Sequence, residues 1–166
     1  GHVRFVKNHV ADLIDRVEVI RGPSSSIYGT SAFFAVVNVI TKRGRDYKGV
    51  EVSGEAGSHD TYDGRLSYGD RYGSGFELLL SGSGSDSEGD DHYYREFDDP
   101  ATNNGVAVGL DGESYHNAFL KASLADFTLS GTYVAREKEY PTAPWETFCN
   151  HPESETRDER YYLDLK

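Results

Sequence analysis

The feature of this sequence that most limits its fold is a repeat of two. From residue 48 onward, six segments place apolar or small side chains at every second position, with polar ones between them. In 48–56 the set is Val50, Val52, Gly54 and Ala56, against Glu51, Ser53 and Glu55. Tyr62, Leu66 and Tyr68 alternate with Asp63, Arg65 and Ser67, and Phe76, Leu78, Leu80 and Gly82 with Glu77, Leu79, Ser81 and Ser83. Ala118, Leu120, Ala122 and Leu124 oppose Asn117, Phe119, Lys121 and Ser123, while Phe127, Leu129, Gly131, Tyr133 and Ala135 oppose Thr128, Ser130, Thr132 and Arg136. The last set is Tyr161, Leu163 and Leu165 against Tyr162, Asp164 and Lys166. A strand sends successive side chains to opposite faces, so the pattern predicts antiparallel strands with one apolar and one polar face. It leaves open whether the apolar face meets protein or lipid.

The connections narrow this. They are short at 57–61 and 69–75, long at 86–115, two residues at 125–126, and long again at 137–160. After the first hairpin, tight turns and long loops fall on opposite ends, as in a transmembrane barrel. Loops beyond about fifteen residues are unusual in compact soluble domains. The apolar faces are light in bulk, carrying Gly54, Gly64, Gly82 and Gly131. Tyrosines near strand ends or on the apolar face, among them Tyr62, Tyr68, Tyr72 and Tyr133, suit a headgroup level. No run of eighteen apolar residues is present, so no membrane-spanning helix is expected.

Charge excludes another class. Seventeen Lys and Arg stand against 28 Asp and Glu, a net charge of -11, which argues against nucleic-acid binding. The acidity is local: 86–113 holds nine acids against Arg95, and 137–160 seven against Lys138, Arg157 and Arg160. The remainder is a near-neutral frame. The single cysteine, Cys149, offers neither a disulfide framework nor a cysteine-rich zinc site.

Residues 1–46 have a different texture. A short helical turn is expected within 9–16, then a strand at 17–20 containing Glu18, stopped by Arg21-Gly22-Pro23. A short helix over 24–29 would start from Pro23 and stop at Gly29, and 33–41 reads as a buried strand. The chain opens at Gly1 without a methionine and stops within the alternation of 161–166, so both ends read as cut.

The run from Ile14 to Lys42, with its Val-Glu-Val-Ile strand, Arg21-Gly22-Pro23, serine stretch, Tyr28-Gly29 and Val36-Val37-Asn38-Val39-Ile40-Thr41-Lys42, resembles the end of the plug domain of TonB-dependent outer-membrane receptors. Ala35 stands where that family usually has glycine. The resemblance implies a membrane β-barrel fragment, with antiparallel transmembrane strands preceded by part of a small α/β plug domain. Residues 1–46 would be the end of the plug and 47–166 the first barrel strands, the sixth incomplete. It further implies energised uptake of a scarce nutrient or metal chelate, such as a ferric siderophore, cobalamin or haem, across the bacterial outer membrane. Its partners would be the membrane lipid and TonB with ExbB and ExbD, with TonB reached through a segment absent from this chain. A surface receptor or signal relay of the same fold, or a soluble all-β binding protein, are the alternatives.

Among candidate sites, Glu18, Arg21, Gly22, Pro23, Tyr28, Gly29 and Asn38 carry the plug pattern; Glu18 and Arg21 could form plug–barrel ion pairs or a structural turn. Gly22 to Ser26 lacks the Gly-Lys-Ser/Thr ending of a phosphate loop. The acidic stretch 86–113 reads as a solvated loop, with cation binding as an alternative, and its spacing does not fit an EF-hand. Tyr93, Tyr94, Phe97 and Trp145 are candidate stacking contacts for a ring-containing ligand or sugar. His92, His116 and His151 are scattered, and no catalytic motif, resident cofactor or metal set is expected.

Overall fold

The computed structural model describes residues 11–21, 35–142, 151 and 153–166. It is built of antiparallel sheet, and among the described residues no helix is long and apolar enough to cross a membrane. A 3-10 turn, Ala11–Leu13, leads into β1 (Ile14–Arg21), which pairs with β2 (Ala35–Thr41) in a hairpin. The helical turn expected within 9–16 is therefore shorter, because Ile14 and Arg16 are already paired with Thr41 and Ile40. The segment 24–29 lies outside the described residues. A single helical turn, α1 (Gly44–Tyr47), then hands the chain to the main sheet.

That sheet is formed by β3 (Gly49–Ala56), β4 (Tyr62–Arg71), β5 (Glu77–Ser87), β8 (Glu113–Leu124), β9 (Phe127–Glu139) and β10 (Glu155–Leu165), in the order β10-β9-β8-β5-β4-β3. The register is unbroken across all five pairings. Val52, Leu66, Gly82, Ala118, Tyr133 and Tyr161 form one row of the apolar face, and Ser53, Arg65, Ser83, Asn117, Val134 and Arg160 a row of the other.

Burial is inverted relative to a sheet with an oily interior. The apolar face is uncovered, with Val52, Leu66, Leu163 and Phe127 among its exposed side chains. The polar face is the one that is covered: Arg65, Ser67, Ser81, Ser83 and Asn117 are buried there. The small core on that side, Leu13, Leu79 and Phe119 with Tyr47 packed against it, forms where the amino-terminal segment meets the sheet. Along β8 the apolar rows run from Leu124 to Ala118, about 20 Å at about 3.3 Å per residue.

α1 clips this segment down by close backbone approach. A Cβ on Gly44 would lie 2.3 Å from the Leu78 carbonyl oxygen and 2.4 Å from that of Asp70. Arg45 donates from Nε to Glu77 at 2.9 Å and Lys48 closes the turn at a φ of 55°. Gly44→Ala should therefore destabilise the protein by about 1–3 kcal/mol through overpacking. Gly64→Ala, with no atom of the described residues within 4 Å of the added one, should be much milder in the same denaturant titration.

Candidate functional site

Two groups of polar residues stand out from the sheet, one on its polar face and one at the end where the long loops lie. The first centres on Arg65, whose side chain is 5% exposed. Register puts it between Ser53 and Ser83 on the polar face, one strand in from the β3 edge. Its guanidinium donates to Ser67 Oγ at 2.9 Å and to Glu51 of β3, and lies 3.5 Å from the Tyr47 hydroxyl of α1. The same terminal nitrogen that meets Glu51 is 3.5 Å from the carboxylate of Asp12, just before β1. Ser67 passes the network to Ser81 at 2.8 Å, and Arg65 Nε is buried without a hydrogen-bond partner among the described residues. Burying a cation is tolerable only when it is paired, so this residue draws three chain segments together. Nearby, Lys121 donates to Thr41 Oγ1 at 2.9 Å, tying the end of β2 to β8. Leu13, buried against Leu79 and Phe119, contributes about 1.5–3 kcal/mol to the same docking.

At the loop end, β8, β9 and β10 run past the apolar rows and carry charge on both faces. Arg136 donates to Glu113 at 2.7 Å and Arg157 to Glu137 at 3.0 Å. The connection from β5 to β8 is itself folded. Its short strands β6 (His92–Tyr93) and β7 (Val106–Ala107) pair, with 3-10 turns at Arg95–Phe97 and Pro100–Gly105 between them. The Asp99 side chain caps the second turn at Ala101 N, 2.8 Å away. Gly105, at a φ of +72°, sits where a Cβ would be 2.5 Å from the Tyr94 carbonyl oxygen. Between this loop and the strand ends lies an open cavity of about 370 Å³, lined by Asp86, Glu88, Glu113, Glu137 and Glu139. Among the described residues no set of three His, Cys, Asp or Glu side chains could hold a metal ion.

The residues singled out in the sequence are distributed over both regions. Glu18 accepts from Arg16 Nε at 2.8 Å and faces Asn38 across the hairpin, with Asn38 Nδ2 at 3.4 Å. Arg21 is exposed at the end of β1. Gly22, Pro23, Tyr28, Gly29 and Trp145 lie outside the described residues, as does Cys149. Tyr94 and Phe97 form a small aromatic core of the loop, 6.5 Å apart edge to face, with His92 6.1 Å from Tyr94. Tyr93 is 59% exposed, its hydroxyl donating to Asp98 at 3.0 Å. Arg65, Asp12 and Asp111 gave no sequence signal of their own, since each reads as an ordinary polar position.

Asp111 clamps the loop to the sheet. Lys138 Nζ donates to its backbone oxygen at 2.9 Å and to its carboxylate, which also meets His92 Nε2 at 3.0 Å. Partial burial works against the charged form, but the Lys138 and His92 hydrogen bonds outweigh it and hold the carboxyl below its ordinary value of 3.8. A depressed folded value means the clamp's contribution is present above 3.8 and is lost as pH falls through the lower folded value. Hydrogen exchange of amides 92–107, corrected for intrinsic rate, should accordingly accelerate in that acid range. Asp111→Asn should accelerate it at neutral pH and flatten the acid dependence.

No protein-family model matches the chain. Over 133 residues, 80% of its length, it is 32% identical to the vitamin B12 transporter BtuB of Vibrio vulnificus (strain CMCP6). The matched stretch is 20% of that transporter, so the chain spans about a fifth of the length of the curated relative it matches. The chain is thus similar, at a distance, to one part of a transporter.

Proposed function

We propose that this chain is the end of the plug (1–46) and the first strands of the barrel (47–166) of a TonB-dependent outer-membrane receptor that takes up a scarce nutrient. The observation that carries the reading is the inverted sheet. An uninterrupted apolar face stands uncovered, while the polar face receives the amino-terminal segment. Exposed apolar patches of that extent mark surfaces that meet something other than water. The apolar rows are about 20 Å tall, close to the about 25 Å band of an outer-membrane barrel. Tyr68 and Tyr72, hydroxyls 2.8 Å apart, with Phe76 stacked on Tyr72, edge the band as an aromatic girdle would. β3 and β10 are the edge strands, and a closed barrel would pair both with further strands. The distant similarity to a vitamin B12 transporter supports the same reading and makes cobalamin the first ligand to try.

In this reading Glu18, Arg21, Gly22, Pro23, Tyr28, Gly29 and Asn38 belong to the plug, and Tyr93, Tyr94, Phe97 and Trp145 to the ligand-facing loops. TonB, with ExbB and ExbD, supplies the energy. A receptor that binds without transporting is the second reading. It is favoured by the loop around Tyr93, which is folded through its own strand pairing and exposes the Tyr93 ring.

Two measurements test this. Leu80→Arg, at the middle of the apolar face, should cost about 2–4 kcal/mol in a bilayer and reduce outer-membrane assembly. Glu55→Arg, on the polar face, should leave assembly unchanged; equal effects would remove the membrane reading. Labelled cobalamin, ferric siderophore or haem should accumulate in cells carrying the protein and fail to accumulate when TonB is deleted. Cell-surface binding that is indifferent to TonB would instead select the receptor without transport.

A further inference from the structure

The contacts around Arg65 have a property that none of the residues has alone. One terminal nitrogen serves two carboxylates, Glu51 in the sheet and Asp12 at the base of the β1–β2 hairpin, and the two are unequal. Glu51 is the close partner, whereas Asp12 stands at 3.5 Å, and the two side chains are 52% and 38% exposed. α1 has anchors of its own, Gly44 against the β4 and β5 backbone and Arg45 on Glu77, beside a long contact of 3.4 Å from the Tyr47 hydroxyl to the Asp12 carbonyl. The hairpin meets the sheet at its base, through Asp12, Leu13 and Thr41.

We infer that Arg65 is a releasable latch: Asp12 and Glu51 compete for it, so the hairpin base can leave the sheet while α1 holds and Glu51 keeps the buried guanidinium neutralised. A buried cation with one partner would resist such a movement, because separation would strand an unpaired charge. With a second carboxylate in the sheet, separation breaks the longer of the two carboxylate contacts and leaves the guanidinium paired. Arg65 acts as a positioning residue for the amino-terminal segment. The latch is a property of these contacts and does not depend on what the protein carries or whether it transports.

Competition makes a prediction of opposite signs. In the full-length protein, hydrogen exchange of the paired β1 and β2 amides is followed by mass spectrometry, with the α1 and β4–β5 amides as reference. Asp12→Asn should speed hairpin exchange about two- to fivefold, the range expected for loss of one partly exposed ion pair. Glu51→Gln should slow it by a similar factor, because the guanidinium then turns wholly to Asp12. Both substitutions are near-isosteric and sit at partly exposed side chains, so the fold is kept. Reference amides should stay unchanged. In an Arg65→Gln background both effects should vanish. Should both single substitutions shift the hairpin in the same direction, or neither shift it, or should α1 loosen along with the hairpin, the latch is wrong.

Discussion

Strands alternate their side chains between two faces, and six strands in unbroken register turn that local rule into two continuous surfaces. A slip of one residue anywhere would exchange the faces of every strand beyond it. Here the pairings from β3 to β10 contain no bulge, so the row Val52-Leu66-Gly82-Ala118-Tyr133-Tyr161 crosses the whole sheet without a charged residue. The other face consequently has little apolar material. Its core is confined to Leu79 and Phe119 and is completed by Leu13 from outside the sheet. The sheet has no interior of its own to sit on; the amino-terminal segment provides one.

That dependence explains the position of a buried arginine in the wall. Removing a guanidinium from water costs several kcal/mol unless its partners are in place. The partners of Arg65 come from β3, β4, α1 and the 3-10 turn before β1. Packing of α1 on the polar face and burial of the guanidinium therefore go together. The close backbone contact at Gly44 fixes where α1 sits against β4 and β5, and the arginine then reads whether the hairpin base has arrived.

The alternation in the sequence identified all six strands of the main sheet, because their apolar rows repeat at the pleat. It missed their far ends. β8 begins at Glu113, β9 reaches Glu139 and β10 begins at Glu155, six residues before the apolar set that marks it. In those stretches both faces are charged, and pairs such as Arg157–Glu137 and Arg136–Glu113 replace apolar contact. Hydrophobic periodicity vanishes there although the ladder continues. β6 and β7 are two residues each and α1 is one turn, too short to carry any period. The hub at Arg65 was legible only as a polar position on a polar face; that Asp12, fifty-odd residues earlier, would share its nitrogen depends on how α1 folds the chain back.

The two ends of the sheet follow from the same division. At the short-turn end, the apolar rows reach the last residue of β8 and the first of β9, and the connection is Ala125-Asp126 with Ala125 at a φ of 52°. At the loop end, the strands outrun the apolar rows, and the overhang serves as scaffolding. The long connection from β5 to β8 is anchored on it by Lys138, which reaches Asp111 from the overhang of β9. Because its ends leave strands that are already paired at Ser87 and Glu113, the loop closes over a fixed short span. Its remaining ordering cost is met inside the loop, by the β6–β7 pairing, the Asp99 cap and the Tyr94–Phe97 contact. An acidic loop of that length can therefore be ordered, hold an exposed tyrosine in a defined place, and still loosen at its edge when the clamp at Asp111 is released.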